Sequence, residues 1–113
     1  LALNNGALSA LMALLALAGD CEDYSWEAGL RLTKDGQTSE VDLVVNCDGQ
    51  LTIAECKDHF EDDAIEAITA QLAQTMPIAE ATKAQFIFAT LRPGELPGPI
   101  AALLDAFDTQ RSS

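Results

Sequence analysis

The chain has 113 residues, 49% of them hydrophobic and 5% aromatic, which suits one compact domain with a mainly aliphatic core. Six Lys and Arg stand against eighteen Asp and Glu, a formal net charge of −12. That balance argues against a free-standing basic module that binds nucleic acid by covering phosphates. No apolar run reaches the roughly 18 residues of a membrane span, and Ala7 to Ala18 lacks the basic flank and cleavage site of a signal peptide.

Taken in chain order, Asn4 and Asn5 are placed to cap a helix that runs from Ala7 to Leu17 and stops near Gly19. It is apolar nearly all round, which predicts burial on several sides. From Ser25 to Thr33 the pattern shifts to period two. Trp26, Ala28, Leu30 and Leu32 then fall on one face of a strand, with Glu27, Gly29 and Arg31 on the other. A turn at Lys34 to Gln37 leads to a second strand, Glu40 to Asn46. Asp48-Gly49 makes a tight hairpin into a third, Leu51 to Lys57.

A helix is expected from Phe60 to about Ala81, with Ala64, Ile65, Ile68, Leu72 and Ile78 as its apolar stripe. Asp62 and Asp63 suit its first turn, and Pro77 is a candidate end or kink. Ala84 to Leu91 is apolar enough for a strand buried on both faces. Pro93, Pro97 and Pro99 mark a loop before a last helix, Ile100 to Phe107, and a frayed tail from Thr109. The order α-β-β-β-α-β-α predicts an α/β domain spanning 1–113, with a mixed central sheet flanked by helices. Cys21, Cys47 and Cys56 are odd in number and lack CxxC spacing, so neither a disulfide framework nor a zinc site is expected. A reducing cytoplasm is the compartment that fits. Leu1 stands where a complete chain would carry Met, as expected of a domain cut from a longer protein.

The chemistry is concentrated in Glu40-Val41-Asp42 and Glu55-Cys56-Lys57, on strands joined by the Asp-Gly hairpin. Side chains alternate along a strand, so Glu40 and Asp42 are expected on one face, and Glu55 and Lys57 likewise. Carboxylates gathered on otherwise apolar strands are costly unless a cation neutralises them. Mg²⁺, or Mn²⁺ in its place, is the hard ion such oxygen ligands favour. It polarises a phosphoryl oxygen and acidifies a water, and a neighbouring ammonium orients that water or stabilises developing charge. These are the parts of phosphodiester hydrolysis.

With those residues, the hairpin and the helix that follows, the chain resembles the PD-(D/E)xK, or restriction-endonuclease-like, nucleases from roughly Leu8 to Leu91. The resemblance implies that Asp42 and Glu55 hold the metal and that Lys57 assists the attacking water. It also implies that Gln71, with Gln74 one turn on, lies near the site. Val41 replaces the proline of the motif, and the first helix carries no acid where many members place a glutamate. Glu40 is the expected substitute, ahead of Glu27 and Glu22. His59 is read as a loop residue, Trp26 and Cys56 as packing residues, and Glu61-Asp62-Asp63 as a helix start. Arg31, Lys34 and Arg92 are the few cations that could meet phosphate, with surface roles as the equal alternative.

The function expected is that of a Mg²⁺-dependent endonuclease-like hydrolase acting on nucleic acid, DNA before RNA. The partners expected are other domains of a longer chain and a second copy in a homodimer. The acidic balance then has three explanations: grip supplied by those other domains, neutralisation by bound divalent ions, or a salty cytoplasm. The alternative is a catalytically silent nuclease-like domain with a regulatory or protein-contact role, for which the missing first-helix acid speaks. A further variant makes the domain the effector end of a larger sensor or defence protein.

Overall fold

The computed structural model of the protein describes residues 5–112, apart from the side chains at positions 34, 37 and 110–112. Its elements are α1 (Ala7–Ala18), β1 (Tyr24–Lys34), β2 (Gln37–Cys47), β3 (Gln50–Lys57), a 3₁₀ turn (Asp62–Ala64), α2 (Ile65–Ala81), β4 (Gln85–Thr90) and α3 (Gly98–Ser112). The strands form one sheet in the order β1-β2-β3-β4. The first three pair antiparallel, and β4 lies parallel to β3 after the crossover through α2. This is an α/β fold with a mixed sheet and three helices, the class expected from the sequence.

Both hairpins turn on Asp-Gly. Asp35 and Gly36 have φ of 53° and 79°, and Asp48 and Gly49 have 52° and 91°. Two successive left-handed residues match the twist of the flanking strands. The first turn is so tight that Gln37 already pairs with Lys34, and β2 begins there rather than at Glu40.

α2 and α3 cover one side of the sheet. Val41, Ile53, Ile68, Leu72, Phe86, Ile100 and Phe107 form the main core between them. α1 covers the other side, over Leu43, Val45, Ala54 and Cys56. β1 divides between the two sides. Tyr24 packs with the α1 cluster, whereas Leu30 and Leu32 pack with the α2 cluster. The single face expected for Trp26, Ala28, Leu30 and Leu32 is therefore corrected. The change falls at Gly29, whose φ of +66° is one that a residue with a side chain adopts only under strain. Gly29 lies between the ladder pairs Ala28↔Leu43 and Leu30↔Val41, facing Asp42.

α1 is not buried on several sides. Leu8, Leu11, Met12 and Leu15 are 51%, 52%, 59% and 66% exposed, and their i, i+3, i+4, i+7 spacing makes one outward stripe. A uniformly apolar helix shows no polar side to identify which face stays wet. Nor is α1 capped by asparagine. Asn4 lies outside the described residues, and the N-cap is Gly6, with no side-chain cap of its own. Asn5 instead clasps His59, donating to its carbonyl at 2.8 Å and accepting its N–H at 3.1 Å.

Pro77 sits inside α2 without ending it. Pro77 and Ala73, whose carbonyl loses its helical partner, both lie on the exposed side of the helix. Ile78 and Ala79 are buried and carry the helix onward. α3 runs beyond the predicted Phe107 to Ser112. Cys21 and Cys47 form a disulfide between the α1–β1 loop and the end of β2. The expectation of no disulfide framework is thus corrected, and with it the cysteine argument for a reducing compartment. No helix among the described residues is long and apolar enough to cross a membrane.

Candidate active site

The site begins where a ladder stops. β2 and β3 pair from Cys47↔Gln50 to Leu43↔Ala54 and no further, although β2 extends back to Gln37 and β3 on to Lys57. The Cys56 N–H, which a continued ladder would give to a β2 carbonyl, is taken by Asp42 Oδ2 at 2.7 Å. A side-chain carboxylate thus replaces a backbone acceptor, and no buried donor is left unpaired. The two strands part at this point, and the acids of the sequence motif stand in the fork.

Glu55 lies between Ala54 and Cys56, which pack under α1, so its own side chain turns to the α2 side. There Gln71 Nε2 donates to Glu55 Oε2 at 3.1 Å. Glu55 is only 4% exposed, and its other oxygen, Oε1, is buried without a hydrogen-bond partner. Burial pushes its carboxyl up to about 8; the nearby charge of Asp42 adds to the rise, and Lys57 opposes it. Without a cation Glu55 therefore keeps its proton at neutral pH.

Lys57, half-buried at the end of β3, lines a cleft with His59, Ile68 and Gln71. Its charge is felt at Glu55, and among the described residues it forms no ion pair. Cys56 faces the other way. Burial first, then the charges of Asp42, Glu55 and Asp58, push its thiol up to about 12, so it stays neutral and inert.

Asp58 is a residue the sequence pattern did not single out. It is 8% exposed and points back to α1, accepting from the backbone N–H of Ser9 at 2.7 Å, Ser9 Oγ at 2.8 Å and the N–H of Leu8 at 3.2 Å. These bonds, the backbone one from Ser9 foremost, hold its carboxyl below the usual range. The carboxylate caps a helix start that has no local cap. Beside it, a Cβ on Gly6 would come within 2.5 Å of the Cys56 carbonyl, so only glycine lets α1 start this close to β3. The strand that carries Glu55 and Lys57 is thereby fixed on one side to α1 and on the other, through Gln71, to α2.

Glu40, the expected third metal ligand, does not join the pair in this structure. Ser39 and Val41 turn toward α2, Ser39 through a 2.9 Å bond to Thr75, so Glu40 between them turns away. It is exposed and paired with Arg31 at 3.1 Å. Alternation from Glu40 to Asp42 fails because the strands change sides at Gly29 and Asp42. Glu27 is exposed on β1 opposite Val44, and the backbone of Glu22 is bound by Asp48. Gln74 is exposed and donates to the Thr38 carbonyl at 3.1 Å rather than into the site. Arg92 is held by Asp62 at 2.7 Å and lies over the Phe60 ring, 4.6 Å from its centre. Arg31 and Arg92 are therefore occupied, and the side chain of Lys34 lies outside the described residues.

The donor set fits a hard divalent cation. It offers two carboxylates side by side, one of them with a buried oxygen that nothing satisfies. Mg²⁺ is commonly held by one or two protein carboxylates, with waters and substrate oxygens completing its shell. Among the described residues the only cluster of three potential ligands is Cys21, Cys47 and Asp48, and its two sulfurs are already joined. Comparison with protein-family models, with curated proteins and with solved structures finds no match to this chain.

Proposed function

We propose that this domain is a Mg²⁺-dependent phosphodiesterase that hydrolyses nucleic acid, DNA before RNA, in the manner of the PD-(D/E)xK nucleases that its motif resembles. The observation that carries the proposal is the fork, where Asp42 and Lys57 both lie close enough to Glu55 for their charges to act on it and one Glu55 oxygen is buried without a partner. The run of elements around the sheet, with β3 between β2 and the parallel β4, supports the same reading.

A bound Mg²⁺ would supply Lewis acidity toward a phosphoryl oxygen and toward a water. Asp42 and Glu55 would hold it, Glu55 as the carboxylate. Asp42 is itself fixed by the Cys56 N–H, and Glu55 by Gln71, so neither carboxylate must be reorganised first. The ammonium of Lys57, which forms no ion pair among the described residues, would orient the attacking water or meet the charge that develops on phosphate. Gln71 positions Glu55 and does not take part in bond making. Further domains of a longer chain would supply the cations this acidic surface lacks. A second copy would dock on the exposed α1 stripe.

Lys57→Ala and Asp42→Asn test the proposal, with initial rates measured on DNA and on bis(p-nitrophenyl) phosphate in Mg²⁺ and Mn²⁺. Each is expected to lose on the order of a hundred- to a thousand-fold in kcat while keeping the wild-type circular dichroism. Undiminished hydrolysis in folded Lys57→Ala would overturn the assignment. One observation favours the second reading, a silent nuclease-like domain: the described residues bring only two carboxylates to the fork, since Glu40 stands elsewhere. That reading predicts no divalent-ion affinity at the pair.

A further inference from the structure

Beside the carboxylate pair, the end of β3 and the first turns of α2 enclose an open cleft of about 220 Å³. It has an apolar floor of Phe60, Ala64 and Ile68, and a polar rim of Asn5, His59 and Gln71. The space exists because the 3₁₀ turn ends in Ala64 and α2 presents Ala67; longer side chains there would fill it. Phe60 is a rigid floor, 9% exposed and held by the edge of Phe88 at 6.0 Å and by the Arg92 guanidinium. His59 is exposed, and Asn5 fixes its backbone from both sides. Lys57 and Gln71 line the cleft and also adjoin Glu55, so a phosphodiester held at the fork has its neighbouring nucleoside within reach of the cleft.

Apolar faces with polar edges describe a nucleobase, and the cleft is smaller than the pockets that take drug-sized ligands. A base that is paired and stacked inside a duplex cannot enter it. Charge points the same way. Gripping a duplex depends on many phosphate contacts, yet the chain has six Lys and Arg in all, and Arg31 and Arg92 are bound to acids. Single strands add base stacking to whatever phosphate contacts a protein can make.

We propose that this cleft takes one unpaired nucleobase next to the scissile phosphate, so that the substrate is single-stranded nucleic acid or a frayed strand end. The inference rests on the phosphodiesterase reading. Its test compares the whole chain in Mn²⁺ on four substrates: bis(p-nitrophenyl) phosphate, a single-stranded oligonucleotide, its duplex, and the same strand with one abasic position. The single strand should be cleaved at least about tenfold faster than the duplex, with the abasic position spared, as expected for the loss of one stacked base. Ala67→Leu, a change on the exposed side of a helix, should lower kcat/KM on the oligonucleotide about tenfold and leave the slow cleavage at the abasic position within about twofold. Equal rates on duplex and single strand, or an Ala67→Leu variant as active on the oligonucleotide as wild type, would overturn the cleft assignment while leaving the nuclease reading intact. If no diester is hydrolysed at all, the nuclease reading fails. The cleft then stands only if a 2-aminopurine strand binds in Mn²⁺ and Ala67→Leu weakens that binding about tenfold; otherwise it fails too.

Discussion

The two Asp-Gly hairpins share a turn but differ in the ladders that leave it. From Lys34↔Gln37 the β1–β2 ladder runs on to Tyr24↔Cys47, passing over only the Gly29–Asp42 position. From Cys47↔Gln50 the β2–β3 ladder runs only to Leu43↔Ala54 and then opens. A closed ladder uses its backbone groups on itself and presents side chains to two faces. An open one leaves donors that something else must satisfy, and here a carboxylate does so. The zipped hairpin is scaffold, and the forked one gathers charge at a point where α1 and α2 both hold it. The disulfide at Cys47 ties the turn end of the forked hairpin to the α1–β1 loop, at the end away from the acids.

Three perturbations probe this difference, and the largest effect belongs to Glu55. Its carboxyl is raised from 4.5 to about 8 in the folded chain. Between those values the folded state binds a proton that the unfolded state has released, so stability falls as pH rises. Below about 4.5 the stabilisation is fully present, and above about 8 the curve levels off. Urea unfolding of metal-free protein across pH 4 to 9 should show a decline on the order of a few kcal/mol. Glu55→Gln should flatten that decline while retaining the bond from Gln71 through its side-chain carbonyl. A wild-type curve without slope would mean that Glu55 is not desolvated in the folded chain.

Closing the fork is the next step down. Asp42→Leu leaves the Cys56 N–H without its acceptor and should cost roughly 1–3 kcal/mol by chemical denaturation. Asp42→Asn keeps an oxygen in place and should cost much less, although both abolish ion binding. Equal destabilisation by the two would show that the bond to Cys56 does not hold the fork. The smallest effect is expected in the zipped hairpin. Glu40→Ala removes a cross-strand pair whose side chains are 75% and 69% exposed, and it should shift stability by less than about 1 kcal/mol. It should leave ion affinity and hydrolysis unchanged; a loss of either would return Glu40 to the site.

Much of this was legible in the sequence. Asp-Gly between β-rich runs located both turns, and alternation put Glu55 and Lys57 on one side of a strand whose other side is core. What alternation could not show was the change of sides at Gly29 and Asp42. That change depends on a positive φ and on a side chain bonding a neighbouring strand, so Glu40 was wrongly grouped with Asp42. Asp58 was invisible for a related reason: its partners, Leu8 and Ser9, lie about fifty positions earlier in the chain. No local pattern marks a helix capped from so far away. Pairing Cys21 with Cys47 likewise needed the loop after α1 brought to the end of β2. In α2, Pro77 suggested a break because sequence does not show that the affected residues lie on the exposed side of the helix.

The most direct test of the account is calorimetric titration of Mn²⁺ into the wild-type protein and into Asp42→Asn, in buffers of different ionisation enthalpy at a pH below 8. Wild type should bind with release of a proton from Glu55, and Asp42→Asn should not bind. Absence of binding by folded wild type, or equal binding by both proteins, would contradict a metal site at the fork.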